Sequence, residues 1–534
     1  MKIRIFGGET SLNAYLLLNI PGSIVPEQEV LTFGEQRLAY EELIERTGRL
    51  ATTLSLYGVQ QGDRVGFVAT GCCEMVEVFF AAFQLGAVIV PINYRAKTEE
   101  LAFMIQDSGV KVLFTEQRYA DLISPILEKS GIEKTIFIGE HQELGISYEE
   151  AVSQTVETMY DFADVEDSDL AILLYTSGTT NLPKGVMITH GQLTNYVLNH
   201  AEAADGSERG ATIISVPSYH VAGATSICNS IYSGRRLILL SQFDAGEWLH
   251  VLEKESATHA FLVPTMLKRV MDHPDFISTN LSSLKSLSYG AAPMPFPVIR
   301  RAIDVFPPTT EFANGFGMTE TTSTVSVLGP EDHKLTGLPE EINKKIKRLS
   351  SVGKPLPGVD IRVLDENGLT LPPNEIGNVY VRTQKAMKGY WKRPDASKET
   401  LVNGWVNTND LGFLDEDGYL FLNGRSSDLV IRGGENISPA EIESVFIEHP
   451  EVADVAVIGI PSLEWGEEVV AVVVARNSEQ PPAVQELLDY CKDRLASFKR
   501  PASIIYALEL PRTPTGKILK RDLKERYANS ALTK

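Results

Sequence analysis

Cysteine is scarce. The chain has four, Cys72, Cys73, Cys228 and Cys491, in 534 residues. No CxxC pair or histidine at ligand-like spacing accompanies them, which argues against a disulfide framework and a zinc site. Positive charge is also in short supply, with 49 Lys and Arg against 70 Asp and Glu and a formal charge of −21. Such a field repels a phosphate backbone and disfavours nucleic-acid binding. Long apolar runs are missing too. The longest, 76–92, is interrupted by Glu77 and Gln84 and falls short of the ~20 residues a membrane span needs. The early run from Tyr15 to Leu18 is too short for a signal core. No GxxxxGK[ST] occurs, so there is no Walker A loop. The expectation is a cytoplasmic protein with reduced thiols, in which any phosphate chemistry occupies a local pocket working against the overall field.

What is present is ordinary globular composition, 43% hydrophobic and 22% charged, in a chain long enough for two to four domains of roughly 100–200 residues. Apolar β-branched runs alternate with helical periodicity. Strands are expected over 64–69, 87–92, 110–115 and 134–138, and helices over 72–85, 98–107 and 119–129. A second series places strands over 212–216, 237–240, 260–263 and 284–289 and helices over 222–232, 246–255 and 265–272. This alternation predicts two α/β lobes with parallel sheets covered by helices. After about residue 329 short strands over 360–364, 377–382 and 418–422 lie between Pro, Gly and Asn turns, a small β-rich unit. Beyond residue 428 the pattern becomes mixed α+β. There Ser438-Pro439-Ala440-Glu441 reads as a capping box. The expected division is an N-terminal domain over 1–424, a hinge at 425–428 and a C-terminal domain over 429–534.

The strongest chemical signal is Tyr175-Thr176-Ser177-Gly178-Thr179-Thr180-Asn181-Leu182-Pro183-Lys184-Gly185, between two apolar strands. Hydroxyls, backbone amides and one ammonium in such a loop form a phosphate cradle; a flexible linker is the competing reading. Four later segments carry potential chemistry. Asn314-Gly315-Phe316-Gly317-Met318-Thr319-Glu320 offers an aromatic face, a hydroxyl and a hard oxygen ligand, with Tyr289-Gly290-Ala291 upstream either admitting a ligand close to backbone or simply packing closely. Thr408-Asn409-Asp410 presents a carboxylate in a turn that Asn409 can hold in the left-handed region. Gly424-Arg425-Ser426-Ser427-Asp428 precedes Gly433-Gly434-Glu435-Asn436, and Pro511-Arg512-Thr513-Pro514-Thr515-Gly516-Lys517 closes the series. An exposed turn and a solvated lysine are the plain alternatives for these last two.

Together, in this order and over almost the whole chain, the five segments resemble the adenylate-forming superfamily of acyl-CoA synthetases, luciferases and peptide-synthetase adenylation domains. The resemblance implies a large N-terminal domain, a small mobile C-terminal domain, and activation of a carboxylic acid by ATP and Mg²⁺ in two half-reactions. It further implies ATP contacts from Thr176, Ser177, Gly178, Thr179, Thr180 and Lys184, and an adenine site at Gly290, Ala291, Asn314, Phe316 and Gly317. Thr319 falls to the α-phosphate, Glu320 with Thr176 to Mg²⁺, and Asp410 with Arg425 to the ribose. Asp428 is then the pivot, Lys517 the catalytic cation, and Gly433, Gly434 and Asn436 the wall of a pantetheine tunnel for coenzyme A. The chain departs from the family pattern at Phe316, Asn409 and Ser427, where Tyr, Gly and Lys are usual. Pro217-Ser218-Tyr219-His220 falls on the acyl-pocket segment, where amino-acid-activating members carry an Asp. Its absence points to an uncharged tail, fatty or aryl, with His220 either a gate to the carboxylate or bonded locally in its turn. A fatty acid is the favoured substrate, transfer to a carrier-protein thiol or an oxidative step is the alternative to CoA, and a homodimer is left open.

Overall fold

A computed structural model describes residues 11–139, 145–155, 158–176, 182–462, 464–513 and 516–531. The two alternating series form two sheets. In one, Ile146–Ser147, Lys134–Ile138, Val110–Glu116, Arg64–Val68, Val88–Pro91 and Leu170–Thr176 run parallel, and Lys184–Thr189 and Gly389–Tyr390 add an antiparallel edge. In the other, Glu29–Phe33, Arg236–Leu239, Ala211–Ile214, His259–Leu262, Ser286–Gly290 and Glu311–Met318 are parallel neighbours, followed by antiparallel Ser323–Leu328.

The buried β-branched runs explain this choice, because a parallel strand is covered on both faces and needs no polar alternation. Every residue of Val88–Pro91 is buried. Helix Cys73–Gln84 is apolar almost all round, and eleven of its residues are buried, Phe79, Phe80 and Phe83 in the largest core. Its buried carboxylate, Glu77, is paired: Arg46 Nε lies 2.9 Å away and Tyr148 donates at 2.7 Å.

The β-rich unit is an antiparallel sheet of Val359–Leu364, Gly377–Thr383, Trp405–Leu414, Leu401–Val402 and Leu420–Arg425. Asn409 does adopt the left-handed region, φ +58°, but within a strand. It sits where the pairing register with Gly377–Thr383 slips, so it makes a bulge rather than a turn.

The final sheet joins Glu435–Ile437, Val430–Arg432, Gly466–Ala475 and Val452–Ser462, with Ser503–Tyr506 parallel to the central strand. Ile442, Phe446 and Leu487 cover one face and Leu523 the other. Helix Pro439–Ile447 begins with proline as expected, but the capping box does not form. The Ser438 hydroxyl instead donates to the Asn423 carbonyl at 2.7 Å, and Glu441 pairs with Lys499 at 2.7 Å. The hydroxyl fastens the helix start to the preceding sheet, which satisfies it as well as a cap would. The architecture is α/β followed by a smaller α+β unit.

Candidate active site

Strands Leu170–Thr176 and Lys184–Thr189, which flank the Thr-rich segment, pair antiparallel and bring Thr176 and Lys184 opposite each other. Ser177, Gly178, Thr179, Thr180 and Asn181 lie outside the described residues. The hairpin base is anchored by Tyr175, which donates to Asp107 at 2.8 Å, and the Trp391 indole N–H donates to the Asp107 carbonyl at 2.9 Å. The Lys184 ammonium sits 5.1 Å from the ring centroid of Tyr390, whose hydroxyl donates to Glu320 Oε1 at 2.7 Å. Burial, reinforced by the Glu320 charge, pushes the Tyr390 phenol upward, so it remains a donor. Tyr390 thus couples this hairpin to Glu320. A lone aromatic after a glycine carries no spacing signal by which it could be found.

Glu320 is reached along two adjacent parallel strands. Gly290 faces Gly315, and a Cβ on Gly290 would lie 2.2 Å from the Gly315 carbonyl oxygen; one on Gly317 would lie 2.0 Å from that of Ser323. Close backbone packing accounts for both glycines. Beyond the strand ends three non-glycine residues take left-handed conformations: Ala291 (φ +64°), Thr322 (+49°) and Ser323 (+79°). Strain of this kind concentrates where a site fixes the backbone. Asn314 donates to the Ser351 carbonyl at 3.2 Å, and Phe316 is half-buried against Val325, Val359 and Val381. Thr319 opens the short 3-10 turn that carries the buried Glu320.

A second group meets this turn. Asp410 and Arg425 are register partners in their sheet, with Nε 3.3 Å from Oδ1. Burial raises the Asp410 carboxyl, while Arg425 and Lys517 act to lower it. Burial and the Arg425 charge bring Lys517 down to about 8, against the attraction of Asp428, Asp410 and Glu320. These mutual fields place Lys517, Asp410, Arg425, Asp428 and Glu320 in one cluster. The Lys517 loop is closed on itself: Lys517 N–H donates to Thr513 Oγ1 at 3.1 Å, and Thr513 N–H to the Lys517 carbonyl at 2.8 Å. It rests on helix Pro264–Asp272, since a Cβ on Gly516 would stand 2.6 Å from Thr265 Oγ1.

Beside this contact a cleft of about 730 Å³ opens between the two units, with Arg95, Lys268, Arg269 and Arg512 on its walls together with Asp454 and Glu509. Gly433, Gly434 and Asn436 are not in the cluster. The two glycines turn the exposed hairpin of Val430–Arg432 and Glu435–Ile437 (φ +59° and +87°), and Gly433 N–H donates to the carbonyl of half-exposed Trp465. His220 caps helix Val221–Tyr232; burial lowers its pKa to about 4, and its Nε2 is buried without a partner among the described residues. It is a neutral imidazole at neutral pH, so any role toward a carboxylate is hydrogen bonding rather than charge.

Among the described residues no three His, Cys, Asp or Glu side chains form a metal cage. Magnesium, which keeps much of its shell on water and phosphate, needs only one or two protein carboxylates, and buried Glu320 fits that requirement. No described helix is long and apolar enough to cross a membrane.

Residues 24–391 match the AMP-binding enzyme family and residues 441–517 the AMP-binding enzyme C-terminal domain. The chain belongs to this adenylate-forming family, on its acyl-CoA synthetase branch. It is an ATP-using, AMP-forming acid ligase by family. A fatty acid–[acyl-carrier-protein] ligase, ScoC, of Streptomyces coeruleorubidus is 33% identical over 498 residues, 92% of each chain. A feruloyl-CoA synthase of an Amycolatopsis species is 35% identical over 510 residues, 94% of this chain and 96% of that one. The anthranilate CoA ligase AuaEII, solved with anthranoyl-AMP, superposes with a TM-score of 0.88 at 26% identity, covering 98% of this chain and 99% of that one.

Proposed function

We propose that the protein converts a carboxylic acid with an apolar body, fatty or aryl, to its acyl-adenylate and then to its coenzyme A thioester. The observation that carries this reading is the meeting of Glu320, Asp410, Arg425 and Lys517 beside the Thr176–Lys184 hairpin. The chemical difficulty of the first step is that a carboxylate must approach the α-phosphorus, an anion attacking an anion. Arg425 and Asp410 hold the ribose, hairpin donors and Lys184 hold the outer phosphates, and the Lys517 ammonium stabilises charge at the reacting phosphoryl group. Magnesium bound at Glu320, with Thr176, would neutralise phosphate charge. No general base is required, because the acid is already ionised at neutral pH. Pyrophosphate leaves, and the thiol then attacks the acyl carbonyl and expels AMP.

For that second step the C-terminal unit, residues 429–534, turns about the hinge at 425–428 with Asp428 as pivot. Lys517 withdraws and the exposed Gly433-Gly434 hairpin takes its place, a rigid-body movement of the hinge type. Two features favour coenzyme A as acceptor. The cleft walls carry Arg95, Lys268, Arg269 and Arg512 against Asp454 and Glu509, with Arg512 paired to Asp454 and Lys268 to Asp272, a local excess of positive charge suited to a polyphosphate in a molecule whose net charge is −21. Trp465, hydrogen-bonded to the hairpin and 5.5 Å from the Arg432 guanidinium, offers a platform for a purine. The ScoC likeness favours a second reading, in which a carrier-protein thiol is the acceptor. Purified enzyme given ATP and a fatty and aryl acid panel, with CoA, with holo-carrier protein or with neither, separates the two. AMP release accelerated by CoA is expected; acyl-AMP discharged only by carrier protein would favour the second.

A further inference from the structure

Among the described residues, the buried side chains of Asp, Glu, Lys and Arg are Glu77, Glu320, Lys385 and Asp410. Glu77 is paired with Arg46, Asp410 with Arg425, and Glu320 belongs to the cluster above. Lys385, 3% exposed, has no carboxylate against it. Its ammonium carries three donors, yet its one described hydrogen bond goes to the Thr324 carbonyl at 3.3 Å, and the Tyr196 ring lies 5.1 Å from it. The other titratable neighbour is His200, a base, stacked on Tyr196 at 4.5 Å and lowered in part by the Lys385 charge. Burial alone brings the lysine down to about 8. A buried cation without a counter-charge is costly, and among the described residues only one hydrogen bond and the Tyr196 ring offset that cost.

Its place in the fold is specific. Thr322 donates to the Lys385 carbonyl at 2.7 Å and Met387 N–H to that of Glu320 at 2.8 Å, so the segment lies directly behind the Glu320 turn. Thr324, which accepts from the ammonium, follows Ser323, and Ser323 Oγ is 3.3 Å from Thr225 Oγ1 on helix Val221–Tyr232. At 1.5 Å rise per residue Thr225 lies about 7–8 Å along that helix from His220 at its start. Contacts through Thr324, Ser323 and Thr225 thus link Lys385 to the helix that starts after His220, which also carries the buried, unpartnered Asn229 Oδ1.

Building on the acid-activation reading, we propose that Lys385 determines specificity by pairing with a second carboxylate at the far end of the substrate. The substrate is then a dicarboxylic acid with an apolar body, its near carboxylate activated and its distal carboxylate held as the counter-ion that the fold leaves out.

The test compares matched acids, decanoate with decanedioate and 3-phenylpropanoate with 3-(4-carboxyphenyl)propanoate, by ATP-dependent pyrophosphate release in wild type, Lys385→Met and Lys385→Arg. The expected result is a wild-type preference for the diacid of each pair. Lys385→Met should lose at least about 30-fold in kcat/KM for diacids, the scale set by removing one partner of a desolvated ion pair, while monoacids stay within about threefold. Lys385→Arg should restore part of the preference. In the ligand-free protein Lys385→Met should leave Tm unchanged or raise it, because an unpaired charge is removed. A wild type that prefers monoacids, equal losses on both acid classes, or a lowered Tm would overturn the assignment and make Lys385 a structural residue. Pyrophosphate release from none of the acids would instead overturn the activation reading, and this assignment with it.

Discussion

At the scale of single residues the proposed adenylation chemistry depends on Lys517. Replacing it with alanine should slow acyl-adenylate formation by about 10²–10³, the loss typical of one preorganised cation or donor, while thioester formation from supplied acyl-AMP stays near wild type. Single-turnover measurement of each half-reaction separates these outcomes, and equal losses in both would refute the assigned role. The depressed pKa of Lys517, about 8, adds a pH dependence. The protonated amine is the working form, so kcat/KM for adenylation, which reports the free enzyme, should be flat below about 8 and fall tenfold per unit above it. A flat profile to pH 9.5 would contradict this. The same lysine marks the reach of the sequence. Its Pro/Gly-rich surroundings identify the loop, but the burial and the neighbouring charges that make it a poised cation arise only when distant segments meet. Tyr390 and Lys385 were illegible for the same reason, since each is defined by a partner more than 60 positions away.

At the scale of elements, the parallel sheets were legible because their strands are buried on both faces and read as uninterrupted β-branched runs. Most predicted boundaries fall within two residues of those found. The failures share a cause. The Ser438 capping box and the Asn409 turn are local readings that tertiary partners override, Asn423 claiming the Ser438 hydroxyl and a register slip absorbing Asn409 into a strand. The edge hairpin of Glu29–Phe33 and Gln36–Ala39 went unread because its polar and apolar residues follow no clean alternation. The strand pair leading to Glu320 yields a paired prediction. Gly290→Ala places a methyl 2.2 Å from the Gly315 carbonyl oxygen, whereas on Gly315 the nearest atom is 3.5 Å away. The first substitution should therefore cost about 1–3 kcal/mol, the range for overpacking, and weaken ATP binding; the second should be close to neutral. Thermal unfolding and ATP titration check both, and equal effects would mean that the strand spacing described here is wrong.

At the scale of the whole molecule, the proposed reaction has a strongly acidic protein hold polyanions at a cation-bearing cleft between two units. On that proposal one unit presents two different faces in turn. The described arrangement has the Lys517 loop seated on helix Pro264–Asp272 and the Gly433-Gly434 hairpin in solvent, which the proposed mechanism assigns to the adenylation step. This can be trapped. An ideal Cβ on Gly516 lies 3.6 Å from Thr265 Cβ, within the range of disulfide-bonded pairs, and the four native cysteines are buried and free. The most direct measurement is therefore to oxidise the Thr265→Cys/Gly516→Cys variant and follow both half-reactions, then repeat after reduction. The oxidised protein should form acyl-AMP and release pyrophosphate but transfer almost nothing to CoA, and reduction should restore transfer. Undiminished thioester formation in the cross-linked protein, or loss of acyl-AMP formation that reduction reverses, would contradict the claim that one docked loop serves the first step and must leave for the second.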